Sequence, residues 1–155
     1  MGMDVYGIKP ATEEGNYFRA NVWSWRPIHY LCDYLNISKN LGFDLSRWAY
    51  NDGAGLDAKQ SKILAKKIEQ YLDKHPHLKE DDDRMYICIH SSWCTPDGQS
   101  VKPHKISEDY PDGTVLYSSV VSRSGQIVQP SYSVTLGHLK DFITFLNSCG
   151  GFNIN

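Results

Sequence analysis

The stretch Trp23-Ser24-Trp25-Arg26-Pro27 decides how the rest of the chain is read. Two indoles flank a serine, and a guanidinium and a proline follow at once. Serine caps helices well, because its hydroxyl accepts from a free backbone N–H of the first turn. Proline is tolerated in that turn, where its missing N–H has no intrahelical partner. Ile28, Leu31, Cys32 and Leu35 then recur at i, i+3, i+4 and i+7, one apolar stripe along a helix. The spacing predicts a helix from about residue 25 to about residue 35, capped by Ser24. Trp23 and Trp25 are large enough to bury its start against the remainder of the chain. Arg26 keeps its charge in water, so it must reach a carboxylate, a carbonyl, an aromatic face or solvent. It is then either a structural arginine anchoring a core helix, with Asp52 as the acid that accepts its charge, or the cation of an aromatic-walled pocket for an anionic ligand.

Upstream, Met3 to Ile8 is rich in β-formers and reads as a strand ended by Lys9-Pro10. Ala11 to Asn16 reads as a polar loop, after which Tyr17-Phe18 packs ahead of the tryptophans. Downstream, the apolar residues of Asn36 to Tyr50 match neither the helical nor the strand period. That segment is expected to be irregular, with a short helix or strand near Leu45 to Tyr50. Asn51-Asp52-Gly53-Ala54-Gly55-Leu56-Asp57 marks a tight connection that needs positive φ. A helix from about Ala58 to Asp73 follows, with Leu64, Ala65, Ile68, Tyr71 and Leu72 on its buried side and Lys59, Lys62, Lys66 and Lys67 in solvent. Asp57 and Gln60 have the spacing of a capping box. A glycine-rich turn opening a helix can cradle phosphate. This one lacks a terminal Lys-Ser/Thr, misses the dinucleotide fingerprint, and carries Asp52 and Asp57, which repel anions. Its spacing is also wrong for a calcium loop, so a structural turn is the better reading.

In the second half, His75-Pro76-His77 ends that helix, and the acidic run from Leu78 to Arg84 reads as a solvated loop. Met85 to His90 reads as a strand buried on both faces. Ser91 to Pro111 shows little periodicity. With the preceding strand it supplies the metal candidates Cys88, His90, Cys94 and His104, whose types suit zinc but whose spacing forms no Cys-x-x-Cys knuckle. Gly113 to Val128 reads as a hairpin turning at Ser122-Arg123-Ser124-Gly125 and closed by Pro130. The last helix is expected from Thr135, as N-cap, to Ser148, with Leu136, Leu139, Phe142, Ile143 and Leu146 inward. Gly150 or Gly151 stops it, and Phe152-Asn153-Ile154 adds a terminal strand. Strands and helices mixed without regular βαβ alternation predict a single α+β domain over 1–155: a mainly antiparallel sheet with about three helices packed on it.

Composition narrows the function. A chain of 155 residues with formal net charge −2 is not built to coat nucleic acid or lie on a membrane surface. No apolar run is long enough to span a bilayer, and no basic-then-apolar segment opens the chain. Four cysteines, at 32, 88, 94 and 149, are too scattered for a disulfide scaffold, so a reducing cytoplasm is expected. Ten tyrosines offer amphipathic contact area suited to an interface or a half-exposed sheet face, compatible with a homo-oligomer.

The opening Met1 to Gly7, the run Gly15 to Pro27, Asn51 to Asp57 and the ending Phe145 to Phe152 together resemble a family of small bacteriophage and bacterial proteins. The resemblance carries no established activity; it implies a phage or prophage origin and action in the host cytoplasm. Some members carry a cysteine-rich, zinc-ribbon-like insert, but the corresponding region here, around Met85 to His104, lacks the paired cysteines. The expected function is therefore a non-catalytic binding protein that counteracts a host defence factor. It would either sequester a nucleotide-like small molecule or dock on a host protein. Trp23, Trp25, Arg26, Asn51 and Asp52 are the candidate ligand-binding residues, and no cofactor is expected. The alternatives are a small hydrolase drawing on His90, His104, Cys94, Asp97 and Asp109, or a zinc-stabilised interaction module.

Overall fold

The computed structural model describes residues 2–74 and 134–155 in full, together with the backbone of 84–87, 93–94, 100–101, 114–115, 120–121, 127–130 and 133. Its centre is a four-stranded antiparallel sheet of β1 (Gly2–Gly7), β2 (Tyr17–Asn21), β3 (Gly55–Asp57) and a last strand at Gly151–Ile154. Between β3 and that last strand run β4 (Arg84–Ile87), β5 (Trp93–Cys94), β6 (Ser100–Val101), β7 (Thr114–Val115), β8 (Val120–Val121), β9 (Ile127–Pro130) and β10 (Ser133–Thr135). The last strand is thus β11, and the central sheet has the order β2-β1-β11-β3. Three helices, α1 (Val22–Ser38), α2 (Ala58–Asp73) and α3 (Leu136–Ser148), pack with it to form the expected single α+β domain.

Alternation decides which face of the sheet is covered. Met3, Val5, Phe18, Ala20, Leu56, Phe152 and Ile154 are buried, while Tyr6, Tyr17, Arg19, Asn21 and Asn153 are exposed on the opposite side. Tyr17–Asn21, where the sequence pointed to no regular element, is a strand. Tyr17, Arg19 and Asn21 point out while Phe18 and Ala20 point in, and every residue from Tyr17 to Asn21 has a partner on β1.

Helix α1 begins about one turn earlier than expected, and its cap is Asn21, not Ser24. The Asn21 side chain accepts from the Ser24 backbone N–H at 2.9 Å, so Ser24 lies inside the first turn and Pro27 inside the helix. For α2 and α3 the expected bounds and caps are the observed ones. Asp57 accepts from Gln60 N at 2.7 Å, the Gln60 side chain returns a 3.1 Å bond to Asp57 N, and Thr135 Oγ1 accepts from His138 N at 3.1 Å.

Residues 39–54 contain neither helix nor strand, so the short element expected near Leu45 to Tyr50 is a set of turns. The segment is fastened from both ends. Asn36 clamps it by donating to the Phe43 carbonyl at 2.8 Å and accepting from Phe43 N at 2.9 Å. Trp48 inserts fully into the core, 5.7 Å from Trp25 and 5.5 Å from Phe152 between ring centroids. Each such buried aromatic contributes roughly 1.5–3 kcal/mol relative to exposure. Gly53 has the expected positive φ of 88°. The unforeseen β3 depends on Gly55, where a Cβ would lie 1.7 Å from the Phe152 carbonyl oxygen. Gly150 and Gly151 both take positive φ and turn the chain from α3 into β11.

The expected hairpin of residues 113–128 is divided. Val120–Val121 pairs with Ile127–Val128 across the anticipated turn, but β7 pairs with β4, in a separate sheet of order β10-β4-β7.

Candidate functional site: the open edge of β2

The five residues singled out around Arg26 are dispersed in role. Trp25 is only 1% exposed; its Nε1–H donates to the Trp48 carbonyl at 2.7 Å and its ring meets Phe142 edge-on. Trp23 is 55% exposed, and Arg26, one turn on, is also exposed. Asn51 is exposed and donates to the Gly2 carbonyl at 3.2 Å. The guanidinium bound by Asp52 is that of Arg47, at 2.6 and 2.9 Å. Trp25 and Asp52 therefore serve internal contacts. The burial of Trp25 was readable: with Ile28, Leu31 and Leu35 it continues one helical stripe, which Trp23 does not.

The candidate hydrolase and metal residues Cys88, His90, Asp97, His104 and Asp109 lie outside the described residues, as does the side chain of Cys94. Among the described residues no group of three or more His, Cys, Asp or Glu is arranged to hold a metal ion. No described helix is long and apolar enough to cross a membrane.

The described residues bring exposed aromatic and charged side chains together elsewhere, along β2. On the exposed face of the sheet Tyr6 and Tyr17 are direct cross-strand partners, 47% and 44% exposed, with ring centroids 5.1 Å apart. The Tyr17 hydroxyl donates to Asp4 Oδ1, on a diagonal across the strand pair. Arg19 Nε lies 3.7 Å from the same oxygen. That hydrogen bond to a carboxylate, more than anything else, holds the Tyr17 phenol above its ordinary pKa. It also fixes the ring's direction, so a large aromatic surface faces solvent in one orientation.

Around the edge of the same strand lies a cleft of about 320 Å³ between β2 and α3. Tyr17, Phe18 and Arg19 form one wall. His138, Asp141, Thr144 and Phe145, spaced i, i+3, i+6 and i+7 on one helical face, form the other, and Glu14 closes one end. The His138 imidazole stacks on Phe18 with centroids 4.8 Å apart. Burial lowers its pKa against the opposing pull of Asp141. The Glu14 carboxyl is held below its usual range by a hydrogen bond from its own backbone and another from Thr12. The site was hard to see in the sequence because its walls come from residues 14–19 and 138–145. The available signals were the alternation of 17–21 and the polar stripe of α3.

No protein-family model matches the chain, and no curated protein or solved structure shows significant similarity to it.

Proposed function

We propose that this chain is a non-catalytic binding protein of phage type that counteracts a host factor by docking on it as protein to protein. The observation that carries this reading is the exposed Tyr6–Tyr17 pair, held in place by Asp4 beside Arg19 at the edge of the central sheet. Tyrosine and arginine are among the side chains enriched at protein interfaces, and a preset ring loses little entropy on binding. A nucleotide-like small molecule is less well supported, because the aromatic wall it called for beside Arg26 includes Trp25, which is packed in the core.

The test is affinity purification from a bacterial host expressing the tagged chain or its Tyr6→Ala/Tyr17→Ala variant. Recovered proteins are then reconstituted with purified components. The expected result is one partner that binds the unaltered chain directly and is lost with the double variant. Equal recovery by both forms, or saturable binding of a nucleotide with no protein partner, overturns the reading.

A further inference from the structure

The backbone of β2 has a polarity the side chains do not reveal. In an antiparallel pair, residues alternately exchange both main-chain bonds with the partner strand or direct both away from it. The bond from Gly7 N to Asn16 O, at 3.0 Å, identifies Gly7 and Asn16 as a bonded pair. By alternation along the register, Val5 with Phe18 and Met3 with Ala20 are bonded pairs too. The opposite side of β1 agrees, since Asn155 N donates to Asp4 O and Ile8 N to Gly151 O, both even-numbered positions of β1 or its extension. Phe18 and Ala20 therefore turn their main-chain groups toward β1. Tyr17 and Arg19 turn theirs outward, and among the described residues no strand pairs with that edge of β2.

These outward groups lie where the cleft opens, and Tyr17 and Arg19 are among its lining residues. A groove bounded by an unpaired strand edge on one side and one helical face on the other is the geometry into which an extended segment adds as a further strand. The charges bounding it are unbalanced. The lining holds two carboxylates, Glu14 and Asp141, against one guanidinium, that of Arg19, which also sits 3.7 Å from Asp4 outside the lining, and a half-buried imidazole, so its formal balance is acidic.

We propose that the cleft between β2 and α3 is a docking groove for an extended, basic segment of the protein partner, bonded through the main-chain groups of Tyr17 and Arg19. One Lys or Arg side chain of that segment lies between Glu14 and Asp141. This inference rests on the protein-docking reading and deepens it by naming the mode and the chemistry of the partner. The outward side chains of an added strand would continue the row begun by Tyr6 and Tyr17, joining the exposed aromatic face and the cleft in one interface.

The test uses the full chain and a surface-displayed library of random peptides. The selected peptides are expected to alternate β-branched or aromatic residues with polar ones and to carry Lys or Arg at one fixed position. Binding of a selected peptide slows hydrogen exchange at the Tyr17 and Arg19 amides and leaves those of Phe18 and Ala20 unchanged. Asp141→Lys, at an exposed position of α3, weakens binding roughly five- to tenfold, and Asp141→Asn weakens it less. The proposal is overturned by peptides with helical spacing or acidic character, by no enrichment, by protection elsewhere, or by unchanged affinity in Asp141→Lys with native circular dichroism. A host protein that binds with a footprint away from Tyr17 and Arg19 removes this inference and leaves the docking reading standing. Failure to find any protein partner removes both.

Discussion

The indole N–H of Trp25 donates to the main-chain carbonyl of Trp48 at 2.7 Å, tying the first helix to a segment that has no regular structure of its own. Both tryptophans are buried, so the bond is made without competition from water. Trp25→Phe keeps most of the apolar contact and leaves the Trp48 carbonyl without this donor. The expected loss is about 1–3 kcal/mol, read from urea denaturation with an unchanged m-value.

Asn21 and Ser24 separate two accounts of how α1 begins. Asn21→Ala removes the acceptor for the Ser24 N–H and is expected to cost about 0.5–2 kcal/mol. Ser24→Ala removes only a hydroxyl donated to Asn21 and should stay within about 0.5 kcal/mol of the parent. The reverse ranking in thermal denaturation would restore Ser24 as the cap.

Gly55→Ala places a methyl carbon 1.7 Å from the Phe152 carbonyl oxygen, closer than any backbone tolerates. Since both neighbours are main chain, the strands must part. The expected cost is at the upper end of overpacking, ~3 kcal/mol or more. Faster hydrogen exchange confined first to the β3–β11 pair is the accompanying signature.

His138 makes stability depend on pH in a defined direction. Burial lowers its folded-state pKa from the ordinary 6.5, so between those two values the unfolded chain binds more protons than the folded one. Its contribution is complete above 6.5, declines as pH falls toward the lowered folded value, and changes no further below that. His138→Phe should flatten that part of the stability profile, measured by chemical denaturation at stepped pH.

Cys32 and Cys149 are buried free thiols, and desolvation pushes both above their usual pKa. Thiolate is the reacting form. Neither should react with a maleimide in the native protein, and both should label at the rate of unfolding in denaturant. Peptide mapping that finds rapid native labelling at either would contradict the packing around it.

Legibility in the sequence followed how local the deciding interaction was. Helices α2 and α3 were fully readable because their caps, Asp57 with Gln60 and Thr135 with His138, lie three residues apart and their stripes keep one period. The start of α1 was not, since Asn21 and Ser24 are both good caps and only tertiary packing chooses between them. Strand β2 alternates correctly, yet Tyr17, Arg19 and Asn21 are an unfamiliar polar set for one sheet face. Strand β3 is too short to have a period, and its existence rests on Gly55 meeting Phe152 from the far end of the chain. Of the candidate residues around Arg26, Trp25 and Asp52 are engaged by partners distant from Arg26 for a similar reason. Proximity in the sequence does not make a shared pocket, since a helix sends Trp23 and Trp25 to different sides. The Asp52 partner, Arg47, is a nearer cation in sequence than Arg26.

The strand that completes the sheet is also its most distant contributor. Val5 lies opposite Ile154, almost the whole chain away, whereas the β1–β2 hairpin needs only neighbouring residues. The hairpin can therefore form early and must then wait with its inner edge unsatisfied while a very long loop closes. Refolding should be slow for a domain of this size, and the waiting species would expose two adhesive margins at once, making concentration during refolding the variable that separates native recovery from aggregation.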